Sequence, residues 1–358
     1  MPLLGAHLVM RWPWKRKSSQ DRLVVSWSAG TFAFVRAREQ ADGLFALQQM
    51  GIERQGADSK EEFVRRLQAL GLKGLEAHTM LRPEQYQLLQ IDTPPVAPEE
   101  LRAAARFQIR EMVNVHIDDI TLDVMQVGDG QQKGPSHLFV VAAKNEVVRE
   151  VIALGDALHW EISVIDIQEN AQRNLQSALA KQSDRLERAD AALLITDDLQ
   201  AVLTISANEE LFFTRRLDLP QGFLGMAWGA THDVAADSTP DGFTPVGEYV
   251  PDYASGGAAS ASADEGDAER IQRFLVEVQR SLDLWDRTWS TMPLSGLRVY
   301  AGERSSEMAN WLSREMGQTV SAMNLAATFP GLDSMAAADQ IYCLPLLGVL
   351  LRTEARKL

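Results

Sequence analysis

One cysteine, Cys343, is present in 358 residues. An intrachain disulfide framework and a thiolate metal cluster are therefore excluded, and such sparing use suits a reducing compartment. Long apolar runs are also missing. The longest, Ile341–Leu351 (IYCLPLLGVLL), contains a proline and falls well short of the roughly 20 residues a bilayer span needs. It reads as buried core, where the Cys343 thiol acts as a small hydrophobe. Basic charge is in deficit: 35 Lys and Arg stand against 49 Asp and Glu, leaving a net −14. Nucleic acid as the main partner is disfavoured, because a phosphate backbone calls for a basic face. Catalytic signatures are absent too. His7, His78, His116, His137, His159 and His232 are scattered, none at metal-pair spacing from another. There is no Gly-x-Ser-x-Gly elbow and no Walker-type loop. Asp118-Asp119 reads as a solvated turn, and Asp166 as a helix N-cap.

What is present is charge segregation and alternation of strands with helices. From His232 to Glu269 there are nine Asp and Glu and no Lys or Arg. This stretch is rich in Pro, Gly, Ser and Ala and lacks periodicity, so residues 232–268 are expected to be a disordered acidic insertion. At the other end Arg11, Lys15, Arg16 and Lys17 surround Trp12 and Trp14. The basic cluster follows the apolar residues, the reverse of a signal peptide. Four such cations at about 1 kcal/mol each give weak contact with an anionic membrane surface.

A chain of this length suggests two domains. RLVVSWSAGTFAFVRA at 22–37 reads as two strands around a turn at Ser28–Gly30, with strand material again at 43–52. Ser59–Leu70 is a helix with a Ser59/Glu62 capping box. Residues 77–90 give a strand, a turn at Arg82–Pro83 and a second strand or short helix. Pro98 and the two glutamates after it open a helix to about Val113. Strands follow at 121–127 and 138–143, then a helix at 146–158 with Val147, Val148, Val151, Ile152 and Leu158 inward, a strand at 161–167 and a helix to Lys181. A second set begins with strands at 191–196, 201–207 and 210–219. Glu269–Ser290 carries Ile271, Phe274, Leu275, Val278, Leu282, Trp285 and Trp289 as one helical stripe. A strand at 297–301, a helix at 305–316, and a closing strand and helix start at 340–351 complete the chain. Residues 22–52 and 191–219 thus repeat one pattern, which implies a duplicated α/β fold with a cleft between its halves.

Four stretches carry a resemblance to a known family: VVSWSAGTFAFVRA; PEELRAAARFQIREMVNVHIDDITLDVMQV; LFVVAAKNEVVREVIALGDALHWEISVIDIQENAQRNL; and ISANEELFFTRRLDL with the closing LLGVLLR. Their order and spacing resemble the PilM class of type IV pilus assembly proteins, within it the MSHA pilus branch. The resemblance covers roughly residues 20–230 and 269–352. It implies an actin-like (ribonuclease H-like) α/β fold, shared with the FtsA cell-division family, of two lobes around a central cleft. The implied organisation is a basic segment 1–20, a first lobe 21–185 with an inserted small α+β subdomain at about 77–145, and a second lobe 186–358 carrying the acidic insertion. The cytoplasmic half of the type II secretion family GspL shares the fold but continues into a transmembrane helix, so the PilM pattern is the nearer.

Members of the actin-like fold hold MgATP at two hairpin turns of the form Asp-x-Gly and at a later glycine pair beside adenosine. By this resemblance Ser26 stands in place of the first Asp and Ser28 in place of its Gly, while Thr31 keeps a hydroxyl. Ile195 replaces the second Asp and Asp197 its Gly, with Asp198 beside it. Gly302 is retained, but Glu303 replaces the second glycine. A carboxylate where backbone should approach phosphate is repulsive, so ATP and Mg are disfavoured and no enzyme activity is expected. The family implies a cytoplasmic scaffold, peripheral to the inner membrane, that captures the cytoplasmic segment of a PilN-like bitopic protein. An extended peptide would enter a groove between the first sheet and the inserted subdomain. Arg102, Arg106 and Arg110, four residues apart on one helix face, and Phe107 are the candidate contacts. The rival readings are a nucleotide-switched scaffold, a GspL-like component and an actin-like sugar kinase.

Overall fold

A computed structural model describes residues 21–128, 136–196, 199–228 and 266–353. The basic segment 1–20, the acidic insertion, and Asp197 and Asp198 lie outside the described residues. In chain order the elements are β1 (Asp21–Ser28), β2 (Thr31–Glu39), β3 (Phe45–Arg54), α1 (Lys60–Gln68), β4 (Glu76–Leu81), β5 (Tyr86–Asp92), α2 (Leu101–Gln108), β6 (Ile120–Gln126), β7 (His137–Lys144), α3 (Asn145–Leu158), β8 (Glu161–Ile167), α4 (Gln168–Gln182), β9 (Ala189–Ile195), β10 (Gln200–Ala207), β11 (Glu210–Asp218), α5 (Asp267–Thr288), β12 (Leu294–Tyr300), α6 (Ser305–Met316), β13 (Val320–Ala322) and α7 (Ala337–Leu350).

Two five-stranded sheets share one plan. The first runs β3-β2-β1-β4-β8 and the second β11-β10-β9-β12-β13. In each, three antiparallel strands are followed by two parallel ones. The repeat seen in the sequence is thus a repeat of topology. The β1–β2 turn places Ala29 and Gly30 at φ 47 and 71, left-handed at both central residues as a two-residue hairpin turn requires.

The sheets are separated by a helical layer, which explains the sequence of their strands. Val24, Val35 and Met80 from the first sheet and Ala192 and Leu194 from the second meet α4 and α7 in one core. The outer face of the first sheet (Leu23, Val25, Phe32, Phe34) packs on Phe63 and Leu67 of α1 and Leu154 and Leu158 of α3. The outer face of the second packs on α5 and α6 around Phe274, Trp285 and Trp311. Central strands covered on both faces read as continuous apolar runs instead of alternating ones. α4 is buried although polar, because Gln172 donates to the carbonyls of Ala192 and Val202 (2.8 and 3.0 Å), and Gln176 to that of Asp190 (2.6 Å). A third sheet, β5-β7-β6, lies with α2 in the chain between β4 and α3.

Four local expectations need correction. The closing stretch is one helix, α7, not a strand and a helix start. Cys343 to Leu350 are all buried, and a segment covered all round shows no periodicity by which to tell strand from helix. Pro345 removes one helical donor, and Gly348 lets α4 close in: a Cβ there would sit 1.9 Å from the Ala171 carbonyl oxygen. The helix drawn from Pro98 to Val113 is α2 framed by single 3₁₀ turns at Pro98–Glu100 and Ile109–Glu111. Asp166 precedes the cap position, held by Ile167, and its carboxylate instead accepts Arg352 at 2.6 Å. Ile152 is 46% exposed and not inward. Ser59 and Glu62 do form the capping box.

Candidate functional site

Two regions could bind something, and they differ in chemistry. The first is the cleft where the β1–β2 turn, the segment after β4 and the start of α4 meet β11. Ser26 is fully buried, and its hydroxyl accepts from Arg82 Nε at 3.1 Å. The same guanidinium donates to the Tyr342 carbonyl at 2.8 Å and lies 3.8 Å from the Tyr342 ring centroid. The Ser28 hydroxyl donates to Glu84. Thr31 pairs with Ser28 across the hairpin. Gly302 has φ +59, and a Cβ there would meet Ile341 Cδ1 of α7 at 3.0 Å. Of the described positions matched by resemblance to a nucleotide site, Ser26 and Ser28 thus direct their hydroxyls to protein partners.

A second arginine crosses from the other half. Arg216 of β11 reaches Glu169 of α4 through Nε and Nη2 (3.1 and 3.0 Å), donates to the carbonyls of Pro83 and Tyr86, and stacks 4.5 Å over the Tyr86 ring. The Tyr86 hydroxyl also donates to Glu169, which is fully buried. Burial, then the Glu169 charge beside it, holds the Tyr86 phenol well above the ordinary tyrosine range. A guanidinium so engaged is satisfied by charge-assisted bonds within the protein. Beside it a cavity of about 430 Å³ is lined by Glu84, Gln168, Thr196, Gln200, Arg216 and Asp218. Among the described residues no group of His, Cys, Asp and Glu is arranged to hold a metal ion.

The second region is a groove of about 720 Å³ between the first sheet and the three-stranded sheet. Its walls are two strands at sheet edges, β8 and β6, with α3 alongside. Val148, Ile152, Trp160, Ile162, Val164 and Ile165 supply the apolar lining. Ile152 and Ile165 are 46% and 38% exposed. Gly155 lets α3 press onto β8, since a Cβ there would lie 2.5 Å from Ile162 Cδ1. Asp123, Asp156 and Glu161 give the rim a negative margin, and Arg102 pairs with Asp123 at 2.9 Å.

Of the four residues proposed from sequence to meet a partner, only Arg102 lines this groove. Arg106 holds the carbonyls of Ile117 and Ile120 at 2.6 and 2.9 Å. Phe107 projects outward at 78% exposure, and Arg110 is exposed in the 3₁₀ turn after α2. Helical spacing alone placed the three arginines together, but the helix ends at Gln108. Sequence reasoning missed the apolar wall. The signal was in β8, EISVIDI, whose residues are apolar enough for a central strand although it is an edge.

No known family profile matches the chain, and no curated protein matches it. Solved structures do. The structure described as a PilM–PilN type IV pilus biogenesis complex aligns with 92% of this chain and 98% of its own, at a TM-score of 0.62 and 13% identity. A Bacteroides thetaiotaomicron protein with actin-like ATPase fold aligns with 93% of this chain and 96% of its own, at 0.46 and 8%. The cytoplasmic domain of EpsL, an inner membrane component of the Vibrio cholerae type II secretion system, aligns with 55% and 71%, at 0.39 and 14%. The fold is the duplicated actin-like one, and no helix among the described residues is long and apolar enough to cross a membrane.

Proposed function

We propose that this actin-like chain is a non-catalytic scaffold of a type IV pilus biogenesis machine, of the MshI type. Its role is to hold an extended cytoplasmic segment of a PilN-like bitopic protein at the inner membrane. The observation that carries this reading is the groove between β8 and β6. Two strand edges face each other across an apolar channel. An uncovered edge is a template for pairing with another chain. An extended peptide would add its backbone to one edge and drop alternate side chains against Ile152, Ile162 and Ile165. Arg82 and Arg216 support the absence of nucleotide from the mechanism. Each directs guanidinium donors to protein acceptors in the cleft where this fold elsewhere holds MgATP.

The test is calorimetric titration of the full chain with a peptide from the cytoplasmic segment of the PilN-like protein in the same genome, and separately with MgATP. Peptide binding that is lost in Ile165→Asp and Ile152→Asp, with no heat from MgATP, is the expected result. Failure of the peptide to bind, or binding unchanged by both substitutions, removes the groove from the account. Micromolar MgATP affinity would instead favour a nucleotide-switched scaffold.

A further inference from the structure

Building on the groove reading proposed above, we infer that the segment held there lies along β8, not β6, and carries Lys or Arg beside its apolar side chains. Six of the seven residues of β8, all but Asp166, line the groove, against Thr121, Leu122 and Asp123 of β6. Neighbouring residues of a strand point to opposite faces, so a cavity lined by consecutive ones runs along the strand's edge. The pairing of β8 with β4 passes from Ala77–Ile162 to His78–Val164 and leaves Ser163 over. A bulge of this kind bends the strand and re-aims its side chains. β8 ends its sheet, with β4 beside it, and no side chain among the described residues takes a backbone group between Ile162 and Ile165.

β6 differs. Its Ile120 carbonyl accepts from Arg106 at 2.9 Å, and its Val124 N–H donates to the Asp123 carboxylate at 2.9 Å. Residues four apart on a strand turn their backbone groups to the same side, so one side of β6 is already partly satisfied by side chains. An incoming backbone gains more from β8, where it displaces solvent and not a protein donor. The lining also selects by charge. It holds three carboxylates, Asp123, Asp156 and Glu161, and one guanidinium, Arg102, a net of −2. Arg102 pairs with Asp123 at 2.9 Å on the β6 wall. The remaining acid, Asp156 and Glu161, is exposed on either side of the α3–β8 junction, and Asp156 makes no ion pair among the described residues. Lys or Arg on the occupant is attracted to this margin, whereas Asp or Glu is repelled, so the margin sets specificity. Glu161 and Ile165 are four residues apart, about 13 Å along an extended strand. The cation therefore falls about four residues from the side chain that meets Ile165.

The test is fluorescence anisotropy of the full chain with three labelled peptides. Each alternates Thr and Ile over seven positions and is flanked at both ends by two Arg, two Gln or two Glu. Affinity should fall in that order, and the spread should narrow with salt. Asp156→Asn with Glu161→Gln should weaken binding of the Arg-flanked peptide about fivefold. Asp283→Asn with Asp286→Asn, at exposed positions of α5, should leave it unchanged. Asp156→Lys with Glu161→Lys should reverse the order, a result that misfolding would not produce. Amide hydrogen exchange should slow over residues 161–167 on binding and not over 120–126. Equal affinities for the three peptides, each lost in Ile165→Asp, would leave the groove standing and overturn the charge selection. Protection of 120–126 alone would overturn the choice of strand, and no binding by any of the three would remove groove and inference together.

Discussion

Replacing Arg216 with Met should destabilise the protein by about 3 kcal/mol, and the magnitude follows from what the guanidinium leaves behind. Glu169 is fully buried and loses both of its bonds from Arg216, at 3.1 and 3.0 Å. Breaking a buried pair by removing one partner costs about 3–5 kcal/mol, because an uncompensated charge remains. The Tyr86 hydroxyl still donates to Glu169, which places the expected loss at the low end. The stacking over Tyr86 at 4.5 Å adds up to about 1 kcal/mol in a partly exposed setting. Methionine fills much of the volume, so cavity formation contributes little. Urea denaturation followed by far-UV circular dichroism, with the m-value checked for constancy, measures the loss. The pair must also be coupled. Arg216→Met combined with Glu169→Gln should cost less than the sum of the single changes by about 1–3 kcal/mol. A loss below about 1 kcal/mol, or strict additivity, would show that this arginine does not hold the two halves together and would refute the reasoning.

Three further outcomes follow from other parts of the fold. Gly348→Ala must part α4 from α7, since its Cβ would lie 1.9 Å from Ala171 O. The expected loss is at the upper end of the overpacking range, about 3 kcal/mol, and a thermal melt within a degree of the parent would contradict it. The Cys343 thiol is pushed up to about 12 by burial, so an aromatic disulfide reagent should react with it only on unfolding, and stoichiometric reaction in native buffer would count against the packed α7. Asp21 is held below the ordinary carboxylate range by the hydrogen bond from Arg38 (2.6 Å), against burial, with Arg36 assisting. A lowered folded pKa gives stability that is present above the unfolded value of about 3.9 and is lost as pH falls through the folded one. Asp21→Asn should accordingly be less stable than the parent at pH 7, with the difference closing on acidification below about pH 4. A gap that stays constant with pH would show that the charge is not what matters there.

The strands and the repeat were legible because period and turn chemistry are local. RLVVSWSAGTFAFVRA announces its hairpin through a small-residue turn between β-branched and aromatic residues, and Ser59 with Glu62 announces a helix start. α7 was not legible in the same way: a helix buried on every side and containing Pro345 offers neither a polar face nor a clean run. Arg82 and Arg216 illustrate a second limit. Nothing in their neighbourhood distinguishes an arginine that crosses a cleft from one on a solvated strand end, because their partners, Tyr342 and Glu169, are 260 and 47 residues away. The groove was anticipated in its general place, but of its apolar wall Val148 and Ile152 were read as facing inward and β8 only as a strand. An edge strand and a central strand of the same composition differ only in whether a neighbour exists, and that is decided by topology.

The helical layer between the two sheets also sets a timetable for synthesis. β1, β2 and β3 bury their inner faces against α7, which is made some 300 residues later. While the ribosome is extending the second half, Val24, Val35 and Met50 have no cover from that helix. At translation speeds of about 5–20 residues per second, this surface waits roughly 15 s or more. The nascent first half is then an aggregation-prone species for that interval, and a chaperone that binds apolar strands should crosslink to it on stalled chains that end before Ala337 and release it on chains that extend past Leu350.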